Sequence, residues 1–390
     1  MKNTEAFFEL FKQQSQKEVL RQLANVQEWD LDFVNEQGQS PLHLAVMKNQ
    51  KGVVAYLLGK GYAPSQRDKT QLSPFIAAAA NGFDGVFELL LSFSPELEQV
   101  NRFGGTALHP SAEKGFIAVV QKALAAGVPS DKKNRLGWTP LLEAVILGNE
   151  GFLYRDMVLE LLMAQANPHL KDDYGLDSIA YAKQLNHRQI ETLLRQGEKK
   201  DAFSEIRQYL REGKNTIALA YLSKMPNQLE VVYYLGRTYE QLGEEEIATY
   251  YYEKGLETSI EFAYYLANLA KRQGNQEKAQ LFFEKGIKGS SNPTFYLYHF
   301  SNYLREIGKH EEAIRVMNGL LKDDEERVDY LFHKANSLRS LGKHYEAYEV
   351  MEEAHRIQKN NPLYTEHMAQ SKVLMEKNGG VKNGKSIGSN

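Results

Sequence analysis

Apolar residues in the first 197 positions return at a fixed interval. The segments QSPLHLAVMKNQKGVVAYLLGKG, LSPFIAAAANGFDGVFELLLSFS, GTALHPSAEKGFIAVVQKALAAG and WTPLLEAVILGNEGFLYRDMVLELLMAQA align on Ser40, Ser73, Thr106 and Thr139, each step being 33 residues. A weaker copy, LDSIAYAKQLNHRQIETLLRQG, starts at Asp177, 38 residues on. In each copy a Ser or Thr, often followed by Pro, predicts the start of a short helix. The hydroxyl caps free backbone N–H groups, and Pro suits the first helical turn. Small residues such as Ala45, Ala78 and Ala144 let that helix approach its neighbour. A turn at Asn49, Gly82, Gly115 or Gly148 leads into a second helix with a stripe such as VVAYLL or VFELLL. Turns at Gly38, Gly104, Gly137 and Gly175 join successive units. No unit can bury its own apolar face, so the units must stack.

After Gly197 the interval changes. Gly213, Gly243, Gly274, Gly308 and Gly342 follow one another in steps of 30, 31, 34 and 34 residues. An alanine stands five residues after each: Ala218, Ala248, Ala279, Ala313 and Ala347. Helical apolar patterns flank every glycine, as in VVYYLGRTYEQLG before it and ATYYYEKGL after it. Each unit is therefore predicted as a helix, a tight turn and a second helix. NPLYTEHMAQSKVLMEKN, residues 361–378, reads as one amphipathic helix that caps the open end.

The first set of units resembles the ankyrin repeat family over about residues 35–197, on its four in-phase copies with TPLH-like starts and LL-containing second helices. The second set resembles the tetratricopeptide repeat family over about residues 200–359. Its best copy, VYYLGRTYEQLGEEEIATYYYEKGL, carries Leu235, Gly236, Tyr239, Ala248 and Tyr252 at the signature places. The expected fold class is all-α, two consecutive α-solenoids, an ankyrin stack followed by a tetratricopeptide superhelix. Its expected parts are capping helices over 1–34, ankyrin repeats over 35–197, tetratricopeptide repeats over 198–359, a capping helix over 360–378 and a disordered tail over 379–390. Two departures stand out. Pro110 falls inside the first helix of its unit, where it should shorten or distort the start. NEGFLYRD, residues 149–156, lengthens its unit and brings Phe152, Leu153 and Tyr154 into either a contact loop or a helix extension.

The ankyrin resemblance implies hairpin fingers that bind a protein surface. The tips read NEQGQ, RDKTQL, NRFGG, NRLGW and DDYGL, which sets Arg67, Lys69, Arg102, Phe103, Arg135, Trp138 and Tyr174 along one edge. Arg and aromatic side chains are the usual interface anchors, although tips are also polar simply because they are wet. His43 and His109 take the family's TPLH position, which implies a structural hydrogen-bonding role.

The tetratricopeptide resemblance implies a concave groove lined by the first helix of each pair. Counting back from each turn glycine gives its rows. Six residues before it stand Arg237, Asn268, Asn302 and Asn336, and three before it Glu240, Lys271, Arg305 and Arg339. Nine before it stand Tyr234, Tyr265, His299 and His333, and ten before it Tyr233, Tyr264, Tyr298 and Phe332. Residues three and four apart share a helix face. An asparagine row beside a cationic row suits an extended peptide, because an amide both donates to and accepts from a backbone. The cations favour acidic side chains or a terminal carboxylate. Packing between neighbouring helices is the plainer role for the same tyrosines.

Composition narrows the chemistry. The chain has 390 residues, a net charge of −3 and no cysteine. Thiol nucleophiles, disulfides and zinc–thiolate sites are excluded, and nothing favours bulk attraction to nucleic acid or anionic lipid. MKNTEAFFELFKQQSQKE lacks the apolar core of a signal peptide, and no apolar run approaches the roughly 20 residues that span a bilayer. The expectation is a cytoplasmic protein without cofactor or metal. No H-E-x-x-H occurs. GGVKNGKS near the C-terminus fits the phosphate-loop string through Gly379, Gly384, Lys385 and Ser386. A working phosphate loop needs a strand before it and a helix after it. Here a helix leads in and four residues follow Ser386, so the match reads as an accident of composition. The chain thus reads as a non-enzymatic adaptor for other proteins or peptide segments. The alternatives are a regulator whose tetratricopeptide solenoid changes curvature on binding a peptide and, last, an NTPase using the tail.

Overall fold

Three of the units begin where a side-chain oxygen meets orphaned backbone donors, while the Ser40 and Thr106 hydroxyls face His43 and His109 Nδ1 instead. Ser73 Oγ accepts from the Ile76 N–H at 3.3 Å, Thr139 Oγ1 from Leu142 at 3.2 Å, and Asp177 Oδ1 from Ala180 at 2.8 Å. In the computed structural model, which describes residues 8–11, 15–26, 30–197 and 199–377, these caps open the first helix of a pair. The pairs are α2 (Pro41–Met47) with α3 (Lys51–Gly59), α4 (Pro74–Asn81) with α5 (Asp84–Leu91), and α6 (Leu108–Glu113) with α7 (Ile117–Ala126). Then follow α8 (Pro140–Ile146) with α9 (Phe152–Met163) and α10 (Ser178–Gln184) with α11 (Arg188–Gln196). Ahead of them α1 (Gln16–Leu23) buries Val19 and Leu23 and packs on α3. No strand occurs among the described residues.

Pro110 does shorten its helix. α6 has 6 residues, against 7 or 8 in α2, α4 and α8. The proline sits third in the helix, where its missing N–H would have had no intrahelical partner anyway. From Phe152 onward the NEGFLYRD insert becomes helix: α9 has 12 residues, and Tyr154 and Asp156 on it are buried.

The fingers between units share one lock. Asn35, Asp68, Asn101, Asn134 and Asp172 each accept, on one side-chain oxygen, the N–H groups two and four residues onward. A short side chain that satisfies two donors of its own turn holds the tip without help from outside. Gly38, Gly104, Gly137 and Gly175 complete the tips with φ between +76° and +79°, a region that suits glycine. Fingers also join each other, since the Arg135 N–H donates to the Phe103 carbonyl at 2.8 Å.

The two TPLH-type histidines tie one unit to the next. His109 Nδ1 accepts from the Thr106 N–H at 3.0 Å, and its Nε2 faces the Trp138 carbonyl at 3.2 Å. His43 does the same with Ser40 and the Leu72 carbonyl. Burial pushes the His109 imidazole down to about 4, against partial opposition from backbone carbonyls. Below its ordinary value of 6.5 the unfolded chain takes a proton that the folded chain refuses. Stability present above that pH is therefore lost as pH falls toward 4, by about 3 kcal/mol in total. His109→Gln removes this titration. Urea midpoints should show the gap between the wild type and His109→Gln narrowing from pH 7 to pH 4.5.

The remaining helices are longer. They are α12 (Ser204–Arg211), α13 (Asn215–Leu222), α14 (Leu229–Gln241), α15 (Glu245–Leu256) and α16 (Phe262–Arg272), followed by α17 (Gln276–Gly289), α18 (Thr294–Glu306) and α19 (His310–Asp323), and finally α20 (Val328–Ser340), α21 (His344–Ile357) and α22 (Pro362–Lys377). Close approach rests on small residues: Ala248, Ala313 and Ala347 are fully buried, and a Cβ on Gly236 would lie 2.2 Å from the Tyr252 ring. The chain divides into two compact units, Met1–Gln276 and Glu277–Asn390. The first holds the 33-residue units and the helices through α16. In the second, α22 packs on α21 and buries Leu363, Tyr364 and His367. The tail with Gly379, Gly384, Lys385 and Ser386 lies outside the described residues.

Candidate functional site

The groove residues of the first unit are occupied by the chain itself. Asp156, on the extended helix α9, accepts from Tyr234 Oη at 2.8 Å, Tyr233 Oη at 3.1 Å and Arg237 Nη1 at 2.5 Å, all three on α14. Phe152 stacks on Tyr233 with centroids 5.3 Å apart. The Phe152 N–H at the start of α9 donates to Glu261 Oε2 at 3.1 Å, a carboxylate placed where the helix dipole favours it. On α16, Tyr264 Oη donates to the Lys114 carbonyl at 3.0 Å, and Tyr265 Oη lies 3.4 Å from the Leu153 nitrogen. Lys271 Nζ stands 5.9 Å above the Phe116 ring. The expectation that Tyr233, Tyr234, Arg237, Tyr264 and Tyr265 line an open groove is thus corrected. They do lie on one face, but α9 and the turn after α6 cover it, and all five are buried.

The rows in the second unit have a different setting. On α18, Arg305 Nη1 donates to Asn302 Oδ1 at 3.1 Å and contacts the His333 ring. On α20, Arg339 Nη2 donates to Asn336 Oδ1 at 2.5 Å, and its Nη1 reaches the His367 carbonyl at 3.4 Å. Each arginine thus fixes the amide three residues before it, with the oxygen turned inward to the guanidinium. Asn336 Nδ2 is left buried and without a partner among the described residues. Burial alone pulls the Arg339 guanidinium down to about 10, and among the described residues no carboxylate pairs with it. Aromatic and imidazole rings lie alongside: Tyr298 Oη is 3.1 Å from His333 Nε2, Phe295 sits edge-on to His299, and Phe332 edge-on to His367. Tyr298, His299, Asn302 and Phe332 are buried, and His333 is half-buried.

The finger edge divides. Arg67, Lys69 and Arg135 are exposed, as is Tyr174 at 46%. Arg102 and Phe103 are half-buried, with the guanidinium 4.9 Å above the ring. Trp138 needs correction. It is only 4% exposed, its indole N–H donates to Asp172 Oδ2 at 3.2 Å, and it seals the joint between two fingers.

Known proteins resemble parts of this chain. Ankyrin repeat signatures match residues 37–69 and, in three copies, residues 75–172, and a tetratricopeptide repeat signature matches residues 328–361. The putative ankyrin repeat protein YahD of Escherichia coli is 34% identical over 166 residues, which are 42% of this chain and 83% of that one. The chain belongs to the ankyrin repeat family. Mouse NF-kappa-B inhibitor alpha is 34% identical over 103 residues, 25% of this chain and 33% of its own length. The chain spans only 13% of another relative, an intracellular phospholipase A2 of Caenorhabditis elegans. A crystallised ankyrin repeat domain from Acinetobacter baumannii is 34% identical, with 49% of this chain and 96% of that domain covered and a TM-score of 0.46.

Two features of this ankyrin repeat protein escaped the sequence reading. His367 continues the row His299–His333 at the same 34-residue interval, a signal present in the sequence. Asp156 left no such signal, because its partners lie 77 to 81 residues away. Among the described residues no helix is long and apolar enough to cross a membrane, and no cluster of side chains is set to hold a metal ion.

Proposed function

We propose that this ankyrin and tetratricopeptide repeat protein is a non-enzymatic adaptor that holds two partners. Both repeat types are modules of protein–protein interaction. In this reading the face of the second unit that carries Asn302, Arg305, Asn336 and Arg339 grips an extended peptide with an acidic residue or a free C-terminus. The finger edge with Arg67, Lys69, Arg135 and Tyr174 takes a second protein surface.

The observation that carries the peptide reading is the Arg339–Asn336 pair. A guanidinium held largely away from water with no counter-ion calls for an anion. The unpartnered Asn336 amide stands next to it and can donate to the same carboxylate. Hydrogen bonds to charged groups contribute about 1.5–3 kcal/mol. Arg339→Ala should therefore weaken a carboxylate-bearing peptide about 10- to 100-fold, and Asn336→Ala by less. Selection of random peptides with free C-termini on the full chain tests this, with fluorescence anisotropy on the winners. Acidic or carboxylate-dependent winners that lose affinity in both variants support it. Winners that bind equally well when amidated and when Arg339 is gone would overturn it.

A further inference from the structure

A cavity of ≈ 320 Å³ lies wholly within the first unit, between the turns that open α5 and α7 and the helices α14 and α16. That volume is at the small end for ligand sites. Its lining is unusual in what it leaves unsatisfied. The backbone N–H groups of Gly85, Val86, Ala118 and Val119, in the first turns of α5 and α7, find no acceptor among the described residues. Asn268 on α16 is 8% exposed, lines the same cavity, and its amide makes no hydrogen bond among the described residues. Gln241 also lines the cavity, and its Oε1 is buried with no partner among the described residues.

The charges bear on the kind of ligand. Arg237 is paired with Asp156, Arg272 with Glu240, and Asp84 with Lys122. That leaves Lys51, which stands beside Gly85, and Glu245 at the start of α15, both exposed at the cavity rim and neither forming an ion pair among the described residues. One positive and one negative group remain, so the cavity favours no net charge. The free N–H groups, the Asn268 amide and Lys51 suit a carboxylate. Glu245 suits an ammonium. Phe116, Leu153 and the rings of Tyr252 and Tyr265 supply apolar wall between.

We infer that this cavity binds a small zwitterion, a free amino acid or dipeptide, with its carboxylate on the helix starts and Asn268 and its ammonium toward Glu245. The site is separate from the peptide-gripping face of the second unit, and its failure would leave that proposal untouched. The test is thermal unfolding of the full chain against each of the twenty amino acids and a set of dipeptides. N-acetylated, C-amidated forms of the same compounds serve as controls. At least one free compound should raise the melting temperature, and its doubly capped form should not. Free amino acids and dipeptides in separate wells show which of the two lengths the cavity takes. Asn268→Asp keeps the side-chain shape but sets a negative charge where the carboxylate belongs, so the shift should vanish. Asn268→Ala should also abolish it, while moving the ligand-free melting temperature by no more than about 2 °C, because the amide has no partner to lose. No shift from any free compound, a shift that persists in both variants, or equal shifts from capped compounds would overturn the inference.

Discussion

Replacing Asp156 with alanine is expected to lower the free energy of unfolding by about 3–5 kcal/mol. The carboxylate is 3% exposed and takes three donors from one helix, Tyr233, Tyr234 and Arg237. Its removal leaves the Tyr233 phenol and a buried guanidinium unsatisfied, and leaves Tyr234 Oη only the bond it accepts from Arg207 Nη1 at 3.1 Å. Burial by itself would lower the Arg237 guanidinium, but the Tyr233 and Asp156 oxygens outweigh it and hold the group above its ordinary value. The single truncation therefore strands a charge, which costs far more than the net worth of the pair. Asp156→Leu with Arg237→Met removes both charges together and should recover much of the loss. Urea unfolding followed by circular dichroism separates the cases. An Asp156→Ala midpoint equal to that of the wild type would show that this cluster does not join α9 to α14.

How this latch relates to the sequence is instructive. Counting back from Gly243 places Tyr233, Tyr234 and Arg237 on one face of α14, because helix geometry is local and a turn glycine fixes the register. What covers that face is decided by residues some eighty positions earlier, and no periodicity connects them. The same limit applies to Phe152 and Tyr154. Their insertion into a 33-residue unit is plain in the sequence, yet only packing shows that the extra turn of α9 meets Tyr233 and Tyr264. By contrast the caps at Ser73 and Thr139, the finger glycines and the alanines at helix contacts were legible, since each acts within a few residues of itself. The asparagine and arginine rows fall between these cases. Their 34-residue spacing sets the side chains on a common face, while the inward turn of the Asn336 oxygen toward Arg339 depends on a rotamer that spacing does not specify.

Trp138 and Tyr174 show what that limit means for finger tips. They look equivalent in the sequence, each an aromatic at a tip, but their variants should behave in opposite ways. Trp138→Ala removes a large buried ring from the joint between fingers and should cost about 3–5 kcal/mol. The loss has three parts: the apolar area of the indole, the bond to Asp172 Oδ2, and the cavity left beside the next finger. Asp172 would retain the Tyr181 hydroxyl, which donates to the same oxygen at 2.6 Å, so its carboxylate is not abandoned. Trp138→Phe keeps most of the area and loses chiefly the indole bond, so it should cost less than the alanine variant, with about 0.5–1.5 kcal/mol from that bond. Tyr174→Ala, at a largely exposed position, should stay within about 0.5 kcal/mol of the wild type. Urea midpoints read by circular dichroism give all three values. If Trp138→Ala proved as stable as Tyr174→Ala, the tryptophan would belong to the binding edge after all. The wide gap expected here instead assigns Trp138 to the scaffold and leaves Tyr174, with Arg67, Lys69 and Arg135, as the edge a partner could reach.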